Sequence, residues 1–402
     1  MSTSRILVFL LVCGMLTLGP TPPSHAQTEK PSRVFLTWMS VTNWLFEVGN
    51  TRIVTDGYIT RIPEKAFSNL GFATATPAQP DVPAIQRLIA GLGASGKIDF
   101  ILTGHSHFDH SFDTATWAKL TGARIIGSRS TCLQAVAQGI PSSQCTAVEG
   151  GEILPLGEHV TVRVVRWNHS GDVSTPAGRV LYTPVELRKS PTVPSSANGL
   201  RPGTLQDFPN GGGARAYLFT VTMMEGPVSW FYSNTGNADT FLHPASVDEG
   251  FFKTQGLPFD NLVLSPQQTS PQDNLRAALS AAGLDHVGLW IGYSDQRLGA
   301  VVCNVLRPQA HIPHHWDGLF SPFFAGLPFS YATVAGTDVL TASLKTQRVT
   351  LLPPQQYMDK FALTAKGVTL IANDGIKAAL GFTKLPPAVS NPASEKIVVH
   401  RD

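Results

Sequence analysis

The stretch "TGHSHFDHSFD", from Thr103 to Asp113, constrains this chain more than any other. It holds three of the twelve histidines and two aspartates, in a sequence whose residues are only 14 % charged. The apolar run "IDFIL" directly precedes it and predicts a buried strand, so the ionisable cluster lies where that strand ends. Imidazole and carboxylate groups at this density are typical ligands of Zn²⁺ and similar divalent ions.

The spacing inside the cluster predicts room for two ions. Residues two apart in an extended turn project to the same side, so His105 and His107 can bind one ion. Asp109 and His110 follow and can turn toward a second ion. The two aspartates and three histidines therefore predict a metal centre rather than a solvated loop.

Regular elements surround the cluster in a repeated order. The runs "RVFLTWM", "NWLFEVG" and "TRIVTDG" predict three strands joined by tight turns, and "DVPAIQRLIAGLGASG" predicts a helix capped by Asp81. Strands come first and strand–helix alternation follows, twice over. This order predicts a layered α/β protein with two sheets and outer helices.

One segment differs in composition from the rest. Residues Thr183 to Gly213 are rich in Pro, Ser, Gly and Asn, which predicts a long loop. Long loops in compact domains are often lids over functional sites, and a bland surface insertion is the alternative.

The N-terminus has the pattern of a secretory signal peptide. Arg5 precedes an apolar run to about Leu18, and Ser24-His25-Ala26 is a small-x-small ending. We therefore expect a signal peptide over residues 1–26, a domain over 27–402, and a periplasmic or secreted protein. In such a compartment Cys132 and Cys145 can form a disulfide, although buried thiols are equally compatible with the sequence.

Composition limits the partners. The formal net charge is +2, which favours neither nucleic acid nor an anionic membrane surface. No later segment reaches eighteen unbroken apolar residues, so we expect no stable membrane insertion of the mature chain. A small-molecule substrate is the expected partner, and the sequence leaves the oligomeric state open.

The cluster resembles the H-x-H-x-D-H signature of the metallo-β-lactamase superfamily. Asp56 in "RIVTDG", His169 in "WNHS" and the strand-end segment "FYSNTGN" resemble further motifs in the family's order. The segment "IPHHWDGLF" resembles the last histidine motif of the ascorbate-lactonase-like and phospholipase-D-like branch. The resemblance implies a four-layer αββα sandwich with metals at the sheet edges.

The resemblance also implies which residues bind metal. His105, His107 and His169 would bind the first ion, and Asp109, His110 and His315 the second; the adjacent His314 is the alternative to His315. The family has a bridging aspartate where this chain has Asn234. An amide is a weaker ligand, so we expect one tightly bound zinc and a second, weaker one, with manganese or iron as alternative metals.

Two neighbouring features complete the predicted site. Asp239, five residues after Asn234, could supply the missing carboxylate or be a surface residue. Asp56 is expected to hold the histidine loop by hydrogen bonds rather than to bind metal.

The implied activity is hydrolysis of an ester, lactone, amide or phosphodiester by a metal-bound hydroxide, with Asp109 as the catalytic residue that accepts the water proton. The Asn234 departure favours two alternatives, a single-iron oxygen-using enzyme of the same fold and a non-catalytic metal-binding protein. The absence of a G-x-S-x-G turn argues against a serine hydrolase.

Overall fold

The computed structural model describes residues 29–63, 76–170, 184–193, 199–245, 260–293 and 295–384. In chain order the strands are β1 (Val34–Ser40), β2 (Asn43–Val48), β3 (Thr51–Thr55), β4 (Phe100–Leu102), β5 (Arg124–Gly127), β6 (Cys145–Ala147), β7 (Ile153–Pro155), β8 (Val160–Trp167), β9 (Val185–Leu187), β10 (Ala214–Val221), β11 (Val228–Ser233), β12 (Leu262–Leu264), β13 (Leu289–Tyr293), β14 (Ala310–His314), β15 (Thr350–Leu351), β16 (Lys360–Thr364) and β17 (Gly367–Ile371).

Nine α-helices lie in the described part of the chain. They are α1 (Val82–Leu92), α2 (Phe108–Ser111), α3 (Thr114–Thr121), α4 (Arg129–Ala137), α5 (Ala238–Leu242), α6 (Pro271–Ala282), α7 (Gln296–Leu306), α8 (Thr337–Thr346) and α9 (Asp374–Leu380). The predicted cap of α1 is present, since the Asp81 carboxylate accepts from the Ala84 amide at 3.0 Å. The signal peptide predicted over residues 1–26 falls outside the described residues.

Two large sheets form the body of the fold. The first has the order β17-β16-β1-β2-β3-β4-β5-β6, and the second has the order β15-β14-β13-β11-β10-β8-β7. A third, two-stranded sheet pairs β9 with β12. In each large sheet antiparallel strands meet parallel ones, as at β2-β3-β4 in the first, so strand ends that carry polar loops gather at one edge.

Aromatic side chains fill the space between the two sheets. Phe46 of β2 contacts Phe219 of β10 and Trp230 of β11 edge-on, with ring centroids 5.5 Å apart in both pairs. Aromatic pairs of this geometry stabilise a core beyond the burial of their area. The inner faces of the sheets therefore pack on each other and leave the outer faces to the helices.

Each outer face is covered by helices. Ile85 and Leu88 of α1 are buried in the cluster of the first sheet, whereas Leu275 of α6 and Leu298 of α7 pack on the outer face of the second. The order of layers is helix, sheet, sheet, helix. The predicted αββα sandwich is confirmed.

The described parts of the segment from 183 to 213, residues 184–193 and 199–213, hold more regular structure than the sequence indicates. Within it, β9 pairs with β12, with Leu187 opposite Leu262. The prediction of one long loop is therefore wrong at Val185–Leu187, where the apolar Val185 and Leu187 are buried and pair with a strand that lies 75 to 79 residues away in sequence. Local composition does not reveal such a partner.

The structure also shows how the cysteines pair. Cys132 of α4 and Cys145 of β6 form a disulfide, with Cα atoms 5.6 Å apart, and Cys303 is a buried free thiol.

Across the six described ranges, no helix has the length and apolar character needed to cross a bilayer.

Candidate metal centre

Three histidines from two strand ends meet at the edge of the sandwich. His105 and His107 follow β4 of the first sheet, and His169 follows β8 of the second. Each offers a ring nitrogen within 4.8 Å of the others, and Nε2 of His105 lies 3.1 Å from Nδ1 of His107. All three side chains are nearly inaccessible to solvent. The structure thus brings together the three residues predicted to bind the first ion.

A second triad lies against the first. Asp109 and His110 belong to the short helix α2, and His315 follows β14 of the second sheet. The Asp109 Oδ2 atom lies 3.1 Å from Nε2 of His110 and 3.1 Å from Nε2 of His315. The two imidazole Nε2 atoms are 3.3 Å apart. These three atoms form a nearly equilateral triangle.

The spacing of both triads fits a divalent ion. For a metal–ligand distance of about 2.0–2.1 Å, tetrahedral geometry places neighbouring ligand atoms ~3.3 Å apart. The triangle of the second triad matches that edge length on all three sides, and the His105–His107 contact matches it in the first. His105 also lies with Asp109 and His110 inside 4.8 Å, so the two sites adjoin.

The His315 backbone explains how that residue reaches the cluster. Its φ is +64°, a left-handed conformation that is uncommon for a residue with a Cβ. The His315 amide donates to the Val41 carbonyl at 2.9 Å, which holds this turn against the loop between β1 and β2. The backbone is therefore locally strained at His315, where the chain leaves β14 and the imidazole ring turns toward Asp109.

Asp56 lies behind the triads and accepts hydrogen bonds from several residues around them. Its Oδ1 accepts from the Gly104 amide at 2.7 Å. Its Oδ2 lies 3.0 Å from Nδ1 of His110 and accepts from the Tyr232 hydroxyl at 2.6 Å and the Thr42 hydroxyl at 2.6 Å. Asp56 thus orients His110 from its outer nitrogen, as expected of a residue beside the ligands.

Asn234 takes a different place from the bridging one predicted. Its Oδ1 lies 3.3 Å from Nδ1 of His105, and its Nδ2 lies 2.9 Å from the Asp56 carboxylate. Its Nδ2 is also 3.0 Å from Nδ1 of His110. The amide therefore contacts the outer nitrogens of two histidines, not those that face the neighbouring ligand atoms. Asp239 is exposed in the first turn of α5, which favours its surface interpretation.

The ambiguity between the adjacent histidines is resolved by contacts. His314 Nδ1 accepts from the Trp44 indole at 3.1 Å, and its Nε2 donates to the Ser233 carbonyl at 2.9 Å. Both ring nitrogens are committed, so His315 alone of the pair faces the triad. His311 is buried inside β14 and stacked on Trp290.

The surroundings of His105 and His110 shift the pKa values of these two histidines in opposite directions. Burial lowers the pKa of His105 well below its usual range, and the neighbouring histidines lower it further. Burial also acts to lower the pKa of His110, but Asp109 and Asp56 outweigh it and raise the pKa to about 9. Metal binding at His110 must therefore displace a proton.

Several residues that hold the site in place were not predicted from the sequence. Gln134 of α4 donates to the Ser106 carbonyl at 2.8 Å and accepts from the Ser111 hydroxyl at 2.8 Å, so it spans the histidine loop. No motif marks Gln134 or Thr42. Tyr232 could have been found, because it lies two residues before Asn234 on a strand and so shares its face.

The predicted insertion contacts the histidine loop directly. The hydroxyl of Ser106, which lies between His105 and His107 in sequence, donates to the Pro209 carbonyl at 2.5 Å. Phe208 packs with Phe108 and Phe112 in a small apolar cluster next to the site. The segment is anchored by Glu186 of β9, which pairs with the buried Arg215 at 3.3 Å.

Comparison with known proteins agrees with this geometry. The chain is 29 % identical over 147 residues to a "UPF0173 metal-dependent hydrolase" of Pyrobaculum arsenaticum, covering 37 % of this chain and 56 % of that protein. It is 34 % identical over 91 residues to a protein of the same description from Pyrobaculum calidifontis, covering 23 % and 40 %. The chain thus spans about half the length of these curated relatives. No protein-family model matches it.

The chain has the metallo-β-lactamase fold. The αββα layers, the strand-end histidines and the metal-dependent hydrolase relatives all agree with the resemblance to the superfamily, which is confirmed at that level, whereas the branch stays a prediction. Among solved structures, Igni18, a metallo hydrolase from Ignicoccus hospitalis, aligns over 82 % of this chain and 98 % of its own, with 10 % identity and a TM-score of 0.43.

Proposed function

We propose that the protein is a metal-dependent hydrolase with two adjacent ion sites. The observation that supports this most strongly is the second triad, in which Asp109, His110 and His315 place three ligand atoms 3.1–3.3 Å apart. Folding alone gives no reason to bring three such groups face to face. The first site is His105, His107 and His169, and zinc is the proposed metal at both.

The chain's own residues then divide the chemistry. A divalent ion in such a site lowers the pKa of a bound water toward about 7 and polarises a carbonyl or phosphoryl oxygen. Asp109 is placed to orient the attacking water and accept its proton, because its buried carboxylate belongs to the second triad and also lies within 4.8 Å of a ring nitrogen of His105 in the first. Asp56 keeps His110 in position through its outer nitrogen.

We propose a small-molecule ester, lactone, amide or phosphodiester as substrate. The "IPHHWDGLF" motif supports the lactonase-like and phosphodiesterase-like branch over β-lactam hydrolysis. The segment around Pro209 and Phe208 borders the site, which supports a role in substrate selection. Shortening the same insertion, between Leu187 and Leu200, should then change the ratio of the kcat/KM values measured for two substrates. An unchanged ratio would mean that the insertion has a purely structural role.

The complete second triad counts against the single-iron alternative. That reading rested on a weakened second site, yet Asp109, His110 and His315 are together and well spaced. It also counts against a decayed, non-catalytic site, since loss of function leaves no pressure to keep such geometry.

Metal content and turnover test the proposal together. We expect more than one zinc per chain after purification in zinc-containing buffer, and zinc-dependent turnover of at least one member of an ester, lactone and phosphodiester panel. His107→Ala should abolish that turnover, whereas the exposed His286→Ala should not. One tightly bound iron with oxygen consumption, or zinc without any turnover, would contradict the hydrolase proposal.

We also propose that the protein is exported. The signal-peptide pattern over residues 1–26 supports export, and so does the Cys132–Cys145 disulfide, because such bonds persist mainly in oxidising compartments. N-terminal sequencing of protein from a secreting host should give Gln27 as the first residue. A chain that starts near Met1 in the membrane fraction would contradict this.

A further inference from the structure

Asn234 lies in a confined place at the end of β11. Its side chain packs directly over Gly104, where an added Cβ would come within 2.1 Å of the Asn234 Nδ2 atom. Gly104 itself precedes His105, and its amide donates to Asp56. Any residue larger than glycine at 104 would therefore push the Asn234 amide away from the histidines.

The orientation of that amide is fixed by Asp56. The carboxylate only accepts hydrogen bonds, so the Asn234 atom 2.9 Å from it must be the NH2 group. The opposite amide orientation would set two acceptor oxygens against each other. The Asn234 carbonyl oxygen is then the atom that faces Nδ1 of His105, at 3.3 Å.

A carbonyl oxygen in that position selects the tautomer of His105. It requires a proton on Nδ1, which leaves the lone pair on Nε2, and Nε2 is the atom 3.1 Å from His107. A metal ligand needs that lone pair, and an outer hydrogen bond is the usual way in which proteins provide it.

We propose that Asn234 is a positioning residue that links Asp56 to His105 and keeps the Nε2 lone pair of His105 directed at the first ion site. This rests on the proposed metal centre but not on turnover. It reverses the expectation from the family pattern, in which a carboxylate at this position would strengthen metal binding. In this chain Asn234→Asp would set a second carboxylate against Asp56 at a distance of 2.9 Å.

The first measurement needs no substitution. Long-range ¹⁵N–¹H NMR of histidine-labelled protein, stripped of metal with a chelator, reports which nitrogen of His105 carries the proton. We expect Nδ1–H. A proton on Nε2 would overturn the proposal even if every variant failed to fold.

The second measurement is zinc affinity by competition with a chromogenic chelator. Asn234→Leu, which keeps the shape but removes the polar contacts with His105, Asp56 and His110, should lose the Nδ1–H signal and weaken first-site affinity by about 10–100-fold. Asn234→Asp should not raise the affinity of either site. Asn237→Asp is the matched control, since this residue caps α5 and either side chain can accept from the Thr240 amide.

The outcomes separate this inference from the proposed function. Unchanged affinity and tautomer in Asn234→Leu, or tighter zinc binding in Asn234→Asp, would show that Asn234 does not position His105. If the predicted tautomer and affinity changes appear but no substrate is turned over, the positioning role stands and the hydrolase proposal fails.

Discussion

Two histidine-rich segments of this chain contribute different numbers of histidines to the candidate metal centre. "HSHFDH", residues 105–110, places all three of its histidines in the metal centre, whereas "HIPHH", residues 311–315, places only one there. The difference lies in the backbone. The first segment is the loop and short helix beyond β4, whose turns bring successive side chains toward one point.

The second segment is mostly strand, where successive side chains point to opposite faces. His311 therefore lies against Trp290 on the outer face of the second sheet, and His314 lies between the sheets beside Trp44. Only His315, beyond the strand and in a left-handed conformation, turns to the cluster. Composition alone cannot distinguish a ligand histidine from a core histidine, but strand position can.

The largest effect is expected at Asp109, which joins the loop to the second triad. Asp109→Asn removes the carboxylate ligand and the proton acceptor together, so kcat/KM should fall by at least about 100-fold. The measurement is turnover of the best panel substrate, with zinc content determined on the same sample. Asp285→Asn, at an exposed position, is the control for loss of one charge. Retention of a tenth or more of the activity would contradict the assigned role.

The next effect tests the one ligand of the strand segment. His315→Asn removes an imidazole but keeps a residue that tolerates positive φ. We expect second-site zinc affinity to fall by about 10–100-fold or more, since even outer partners of a ligand have effects of that size. Chelator competition measures both sites. First-site affinity should stay unchanged; an equal loss at both sites would mean that the triads are not separate.

Much of the fold and of the candidate site could be predicted from the sequence, because these features depend on short stretches of the chain. The strands β1 to β3, the Asp81 cap and the histidine loop follow from short patterns. The side-chain orientation of Asn234 was not predictable, because Gly104 and Asp56 determine it from distant points of the chain. The same holds for β9, whose partner β12 is remote.

A smaller effect is expected at His314, the neighbour of the ligand. His314→Ala removes the hydrogen bonds with the Trp44 indole and the Ser233 carbonyl, and a buried group left unsatisfied costs about 1–3 kcal/mol. The free energy of unfolding, measured in urea with a chelator present, should fall accordingly. Second-site zinc affinity should change by less than the His315→Asn variant shows. A reversed order would assign the ligand role to His314.

The smallest effect concerns His311 and depends on pH. Burial lowers the pKa of His311 to about 3, although its hydrogen bond with the Trp290 carbonyl acts to raise it. In the unfolded chain the pKa is about 6.5. As pH falls below about 6.5 the unfolded state gains a proton that the folded state does not take, so stability present above that pH is progressively lost. The slope approaches 1.4 kcal/mol per pH unit, by about pH 5.

His311→Gln removes this titration and can still donate to the Trp290 carbonyl. The difference in the free energy of unfolding between variant and native protein should therefore shift in favour of the variant by about 1.4 kcal/mol from pH 5.5 to pH 4.5. Urea unfolding with a chelator present measures it, and the other histidines titrate equally in both proteins and cancel. Parallel curves would mean that His311 becomes protonated in the folded state, and that the outer face of β14 is open to water.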